Sequence, residues 1–200
     1  GVVDLASGTA TIEWTGSVSI VFYGGLTYWW FSDPVLTINA DGTGNVTAVA
    51  GGFATSQEDS SRWGALPEAR IVLAELSGAT LTADGLATDP HYRGIEVSTP
   101  PGSVPQVREG PAWGSFPQSL IDYQVRTGQG AYWYSTGGAR DAAKVATTLY
   151  ISYDAAQPIP NAGNGVLSGG GGDDLPELTG GVLGGGALSG SGTGGAGNAA

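Results

Sequence analysis

The 200-residue chain has no cysteine, no methionine, one histidine and, among seven basic residues, one lysine. Without cysteine there is no disulfide framework, no thiolate nucleophile and no cysteine-based zinc site. His91 alone cannot build a multi-histidine metal centre or a pair of imidazole acid–base groups. Charge is scarce too: 12% of residues are charged, about half the usual share. With eighteen acidic residues and a net charge of −11, the chain lacks the basic surface that phosphate-backbone binding needs, which excludes nucleic acid as a partner. No apolar run approaches the roughly 18 residues of a membrane-spanning helix. Nucleophile elbows, zinc-protease helices and phosphate-binding glycine loops are all missing, so nothing indicates an enzyme. The chain starts at Gly1 rather than methionine, which points to a processed or trimmed product.

What the chain has in excess is glycine, 36 residues, and it is unevenly placed. All aromatic residues lie between Trp14 and Tyr153, whereas residues 161–200 hold no aromatic and no basic residue. The division predicts a domain over residues 1–156 and a Gly/Ser/Ala-rich tail over residues 157–200. Only the first holds enough apolar side chains to bury a core.

Within the domain, Ile12 and Trp14, then Val18, Ile20 and Phe22, alternate with polar residues in the period of a strand with one buried face. Residues 26–31 (LTYWWF) resume the pattern after Gly24-Gly25, and residues 35–39 continue it past Asp33-Pro34. Asp41-Gly42-Thr43-Gly44 has hairpin-turn chemistry, and Val46, Ala48 and Ala50 form the returning strand. Further strands are expected over residues 69–76, 80–87, 94–98, 131–135 and 147–153. Residues 119–126 (SLIDYQVR), after Pro117, read as one short helix, with Leu120, Ile121, Tyr123 and Gln124 on one face. The fold class that follows is all-β: an antiparallel immunoglobulin-like β-sandwich with one short helix and a glycine-rich extended C-terminal tail.

Few residues carry candidate chemistry. His91 sits in the turn Asp89-Pro90-His91-Tyr92-Arg93-Gly94, and a locally hydrogen-bonded turn histidine is the expected reading. Residues 39–45 (NADGTGN) space side-chain oxygens as calcium loops do but lack the bidentate glutamate, so they read as a plain hairpin turn. No metal site is expected. The aromatic runs Tyr28-Trp29-Trp30-Phe31 and Tyr132-Trp133-Tyr134 say more, because consecutive strand residues face opposite ways. Burying Trp29 and Phe31 leaves Tyr28 and Trp30 on the other face, where a ligand, a loop or another subunit would cover them. Trp29, Trp30 or Trp133 as a stacking platform gives a carbohydrate-binding module as one reading.

Residues 16–20 (GSVSI) and 22–26 (FYGGL), then Ser32-Asp33-Pro34 and the Asp41-Gly42-Thr43-Gly44 turn, together resemble the haem-transport-associated (HtaA-like) domain of actinobacterial surface proteins. Trp113-Gly114 followed by Ser119-Leu120 and Tyr123 is similar to that family's Trp-Gly, Ser-Phe, Tyr helix signature. The resemblance implies a β-rich, extracellular, envelope-anchored module. It also implies haem as the alternative cofactor, with Tyr123 or Tyr23 as axial ligand and His91 as supporter.

The tail adds a different expectation. Val166-Leu167 is echoed by Val182-Leu183, and Leu188 follows, all set in glycine-rich chain. Such anchors suit extended-chain addition onto a neighbouring subunit, with Trp30 and Tyr28 as further assembly residues, and head-to-tail contacts of that type give filaments. Residues 175–180 (LPELTG) resemble a sortase anchoring signal with one residue inserted, a possible cell-envelope attachment. The leading expectation is therefore a non-catalytic, extracellular or cell-surface structural subunit without cofactor that self-assembles as a homo-oligomer through its tail. A haem-binding surface module is the alternative.

Overall fold

The computed structural model describes residues 1–22, 25, 27–55, 63–154 and 156–160. Six antiparallel strands form one sheet: β1 (Val2–Asp4), β2 (Thr9–Glu13), β3 (Ser17–Phe22), β4 (Thr27–Ile38), β5 (Gly44–Thr55) and β6 (Trp63–Leu76). The order is β1-β2-β4-β5-β6, with β3 also paired to β4. Two further strands, β7 (Gly85–Thr88) and β8 (Leu149–Ser152), pair with each other. The helix α1 (Gln118–Arg126), a 3-10 turn at Gly130–Tyr132 and a one-turn helix α2 (Asp141–Lys144) complete the regular elements among the described residues. The architecture is all-β and sandwich-like, with one short helix of real length, as the alternation predicts.

Strand β4 organises the sheet. Its first half, Thr27 to Ser32, pairs with β3, and its second half, Val35 to Ile38, pairs with β2. The register shifts at Asp33-Pro34, where Asp33 has φ 48°. Proline cannot donate to a ladder, so a bulge is where a long central strand tolerates it. The bulge is pinned by the β2–β3 turn: Asp33 N–H donates to Gly16 O, Gly16 N–H to Asp33 Oδ1, and Trp14 N–H to Pro34 O. The extra residue changes the parity, so Trp29 and Phe31 before it and Leu36 and Ile38 after it all point to the same buried face.

That face is covered in two parts. Over one part, α1 and the irregular chain around it bury Trp29, Phe31, Ile71, Leu73, Tyr92, Phe116, Leu120, Ile121, Tyr123, Trp133 and Tyr134. Over the other, β7 and β8 bury Leu36, Ile38, Leu76, Leu86 and Ile151. Helix α1 begins after Pro117, as expected from proline's fixed φ, and the face Leu120, Ile121, Tyr123, Gln124 is the buried one. Ser119 Oγ accepts the Val72 N–H at 2.9 Å, which ties α1 to β6, the last strand of the sheet.

Three expected strands take other forms. Over residues 80–87 the strand begins only at Gly85, because Thr82 closes a turn through its N–H and Oγ1 to Gly85 O. Residues 94–98 have no strand partner; instead the Gln106 side chain accepts the Val97 N–H and donates to Ile95 O. Residues 131–135 are not a strand either: Gly130–Tyr132 form a single 3-10 turn. Trp133 and Tyr134 are therefore both buried while Tyr132 is exposed, against the opposite-face expectation. The hairpin at residues 39–45 forms as expected, with Gly42 at φ 77° and Asp41 Oδ1 accepting the Thr43 N–H. No group of metal-ligating side chains occurs among the described residues. None of their helices is long and apolar enough to cross a membrane.

Candidate functional site

Tyr123 lies on the buried face of α1 at 2% exposure, inside the aromatic core. Its hydroxyl is sealed from solvent and has no hydrogen-bond partner among the described residues. A buried orphan hydroxyl forfeits about 1–3 kcal/mol of solvation, so its presence calls for a reason. Burial pushes the Tyr123 phenol up; the charge of Arg126 opposes that shift and the charge of Glu68 adds to it. The Arg126 guanidinium stands 5.5 Å from the ring centroid. Half-buried Phe22, Leu66 and Val125 pack against the same core.

The Trp-Gly part of the motif has a structural explanation. A Cβ at Gly114 would collide with the Tyr92 carbonyl oxygen, and φ there is 156°. Gly114 bridges Arg93, donates its N–H to Ser135 Oγ at 3.1 Å and accepts the Ser135 N–H at 2.9 Å. The glycine is thus the crossing point of the loops that carry α1 onto the sheet.

His91 lies elsewhere. Its N–H donates to Glu75 O, and its Nε2 meets Ser77 Oγ at 2.6 Å. Tyr123 lies instead in the aromatic core beneath α1, and no hydrogen bond among the described residues joins its hydroxyl to His91. Tyr23, the other tyrosine singled out, lies outside the described residues, as do Val166, Leu167, Val182, Leu183 and Leu188 of the tail.

The two remaining assembly residues, Tyr28 and Trp30, face outward as expected. They belong to a chain of rings across three strands: Tyr28–Trp30 at 5.5 Å, Trp30–Phe53 at 5.9 Å and Phe53–Trp63 at 5.5 Å. Gly51 lies directly opposite Trp30, and any Cβ there would collide with the indole. Trp30 therefore covers a side-chain gap in β5, a structural use of the ring. Trp29 and Trp133, at 1% and 3% exposure, are core residues that pack edge to face at 5.5 Å. That burial removes both from the stacking platform that the sequence offered.

Sequence reasoning missed an open cleft of about 780 Å³ between residues 89–95 and 145–150. It also missed a buried brace. Lys144, the only lysine, donates to Ala131 O at 3.0 Å, Tyr134 O at 2.8 Å and Thr136 Oγ1 at 3.1 Å, and pairs with Asp141 at 2.8 Å. Burial opposes ionisation of Asp141. The Lys144 side chain and the Thr136 and Gly137 N–H groups outweigh it, and the carboxyl is held below its usual range.

No family model matches the chain, and no curated protein is significantly similar to it. Among solved structures, the C-terminal domain of HtaA from Corynebacterium glutamicum is similar at 20% identity and TM-score 0.34, over 45% of this chain and 52% of that one. A domain-swapped dimer variant of the same domain is similar at 14% identity and TM-score 0.35, over 64% of this chain and 60% of that one. The chain thus spans between half and two thirds of the length of the domains it matches.

Proposed function

We propose that the chain is a non-catalytic, haem-binding module of an extracellular surface, with Tyr123 as the axial ligand. The observation that carries this reading is the Tyr123 hydroxyl: buried in the aromatic core and without a hydrogen-bond partner among the described residues, on the helix that follows Trp113-Gly114 and carries Ser119 and Tyr123 of the motif. Haem, when bound, supplies a Lewis-acidic iron that a phenolate oxygen can ligate. Tyr123 offers the oxygen, the aromatic core it belongs to offers apolar surroundings, and Arg126 offers a cation beside its ring. His91 is left out of this proposal, because its hydrogen bonds run to Ser77 and Glu75 at the end of β6.

The test is direct. Adding ferric haem to the purified chain should give a tyrosinate-type charge-transfer band, which Tyr123→Phe abolishes while circular dichroism stays unchanged. A wild-type chain without that band, or a Tyr123→Phe variant that keeps it, rejects the assignment. The alternative of a self-assembling subunit rests on tail residues outside the described part of the chain. Electron microscopy of the purified protein would reveal filaments if it holds.

A further inference from the structure

The pairing of β7 with β8 ends at Thr88 and Leu149. Just beyond, the two chains part and become the walls of the cleft of about 780 Å³. Thr148 Oγ1 donates to Asp89 Oδ1 at 2.6 Å and bolts the walls together at the mouth of the pair. Ser77 Oγ fixes the His91 ring through Nε2, and Arg93 Nη1 is anchored on Pro111 O. The polar groups lining the cleft are therefore held in place before any ligand arrives.

The lining identifies the class of ligand. One carboxylate, Asp89, and one guanidinium, Arg93, cancel in charge, so neither a polyanion nor a polycation is favoured. With Asp89 Oδ1 engaged by Thr148 and Arg93 Nη1 by Pro111 O, the second carboxylate oxygen can accept from a hydroxyl and the other guanidinium N–H groups can donate to one. Tyr150, Ile95 and Val145 line the same cleft, and an aromatic ring with aliphatic neighbours suits the C–H faces of a sugar ring. The volume falls within the roughly 300–1,000 Å³ of small-molecule sites. We infer that this cleft binds a neutral saccharide, through Asp89 and Arg93 at its hydroxyls and Tyr150 against a ring face. This site is separate from Tyr123 and does not depend on the haem reading.

Isothermal titration of the full chain with cellohexaose, xylohexaose, maltohexaose and mannohexaose tests it. At least one should bind, and Asp89→Asn and Arg93→Ala should each weaken it by roughly tenfold or more, as loss of a charged hydrogen-bond partner does. Asp89→Asn keeps an acceptor for Thr148, so it remains informative if Arg93→Ala fails to fold. Trp30→Ala and Tyr123→Phe should leave the affinity unchanged, which separates the cleft from the outer aromatic face and from the haem site. If no oligosaccharide binds, the inference fails. It also fails if binding survives Asp89→Asn and Arg93→Ala, or disappears in Trp30→Ala alone.

Discussion

The two halves of the buried sheet face are covered by different means. Under β7 and β8 the core is aliphatic, and none of its members carries a buried polar atom without a partner. Under α1 and the loops around it the core is aromatic: Trp29 on Trp133 at 5.5 Å, Phe116 on Trp133 at 5.6 Å and Tyr92 on Phe116 at 5.3 Å, all edge to face. This half carries several orphans among the described residues, including the indole N–H of Trp29 and of Trp133 and the hydroxyls of Tyr92 and Tyr123, while the Tyr153 hydroxyl, just past β8, is another. A paired strand satisfies its own backbone and needs only apolar side chains beneath it. An irregular cover must be scaffolded by side chains, here Gln106, Ser135 and Lys144, and large rings fill the uneven space. The candidate haem ligand sits in the costly half. The cleft lies at the seam, with Tyr92 and Val145 from one core and Tyr150 from the strand pair of the other.

The largest expected effects fall on the aromatic half. Trp29→Ala should cost roughly 3–5 kcal/mol in urea unfolding, as large aromatic truncations in packed cores do. A loss under about 1 kcal/mol would mean that the aromatic half is not close-packed. Lys144→Met should cost about 3–5 kcal/mol, because it strands the Asp141 carboxylate in a largely buried site. The same brace fixes a pH dependence. The folded Asp141 carboxyl titrates below its ordinary value of 3.8, so its contribution is complete above that value and is lost as pH falls through the folded one. Wild type should therefore lose stability in acid more steeply than an Asp141→Asn variant, and parallel profiles would refute the assignment.

A smaller effect is expected from the aliphatic half. Ile38→Val, fully buried between β4 and the β7–β8 layer, should cost roughly 0.5–1.5 kcal/mol. It should leave haem and saccharide titrations untouched. A change in either titration would show that the two halves are coupled, against the separation drawn from their contacts.

The two halves also differed in how legible they were. Alternation placed the strands of the main sheet, because a buried face with period two leaves a direct trace in residues such as Trp29, Phe31, Leu36 and Ile38, although Val18, read as part of the same pattern, is exposed. Asp33-Pro34 read as punctuation but not as a bulge, since the change of partner from β3 to β2 depends on pairing far along the chain. The cover was harder. Tyr132-Trp133-Tyr134 has strand composition, yet Gly128 and Gly130 permit a tight turn there, and the local signal lost to tertiary packing. Tyr123 was legible as a motif residue, whereas its missing partner was not. The cleft was invisible, since its walls are fifty or more residues apart in sequence and are brought together by the pairing of β7 with β8.

The smallest expected effect bears most directly on why the aromatic half is built as it is. Tyr123→Phe removes one oxygen that has no partner and no solvent contact among the described residues. If the hydroxyl were there for stability, its loss would destabilise the fold by about 1 kcal/mol, the usual worth of a hydrogen bond. An orphan predicts the opposite sign: relief of its desolvation, with apo stability unchanged or raised by about 0.5–1 kcal/mol. Paired urea titrations of wild type and variant decide the sign. A gain in apo stability together with loss of the haem band would mark Tyr123 as a residue kept at a cost to folding. A clear loss of stability would instead reveal a hydrogen bond to the phenol and return Tyr123 to the ordinary core.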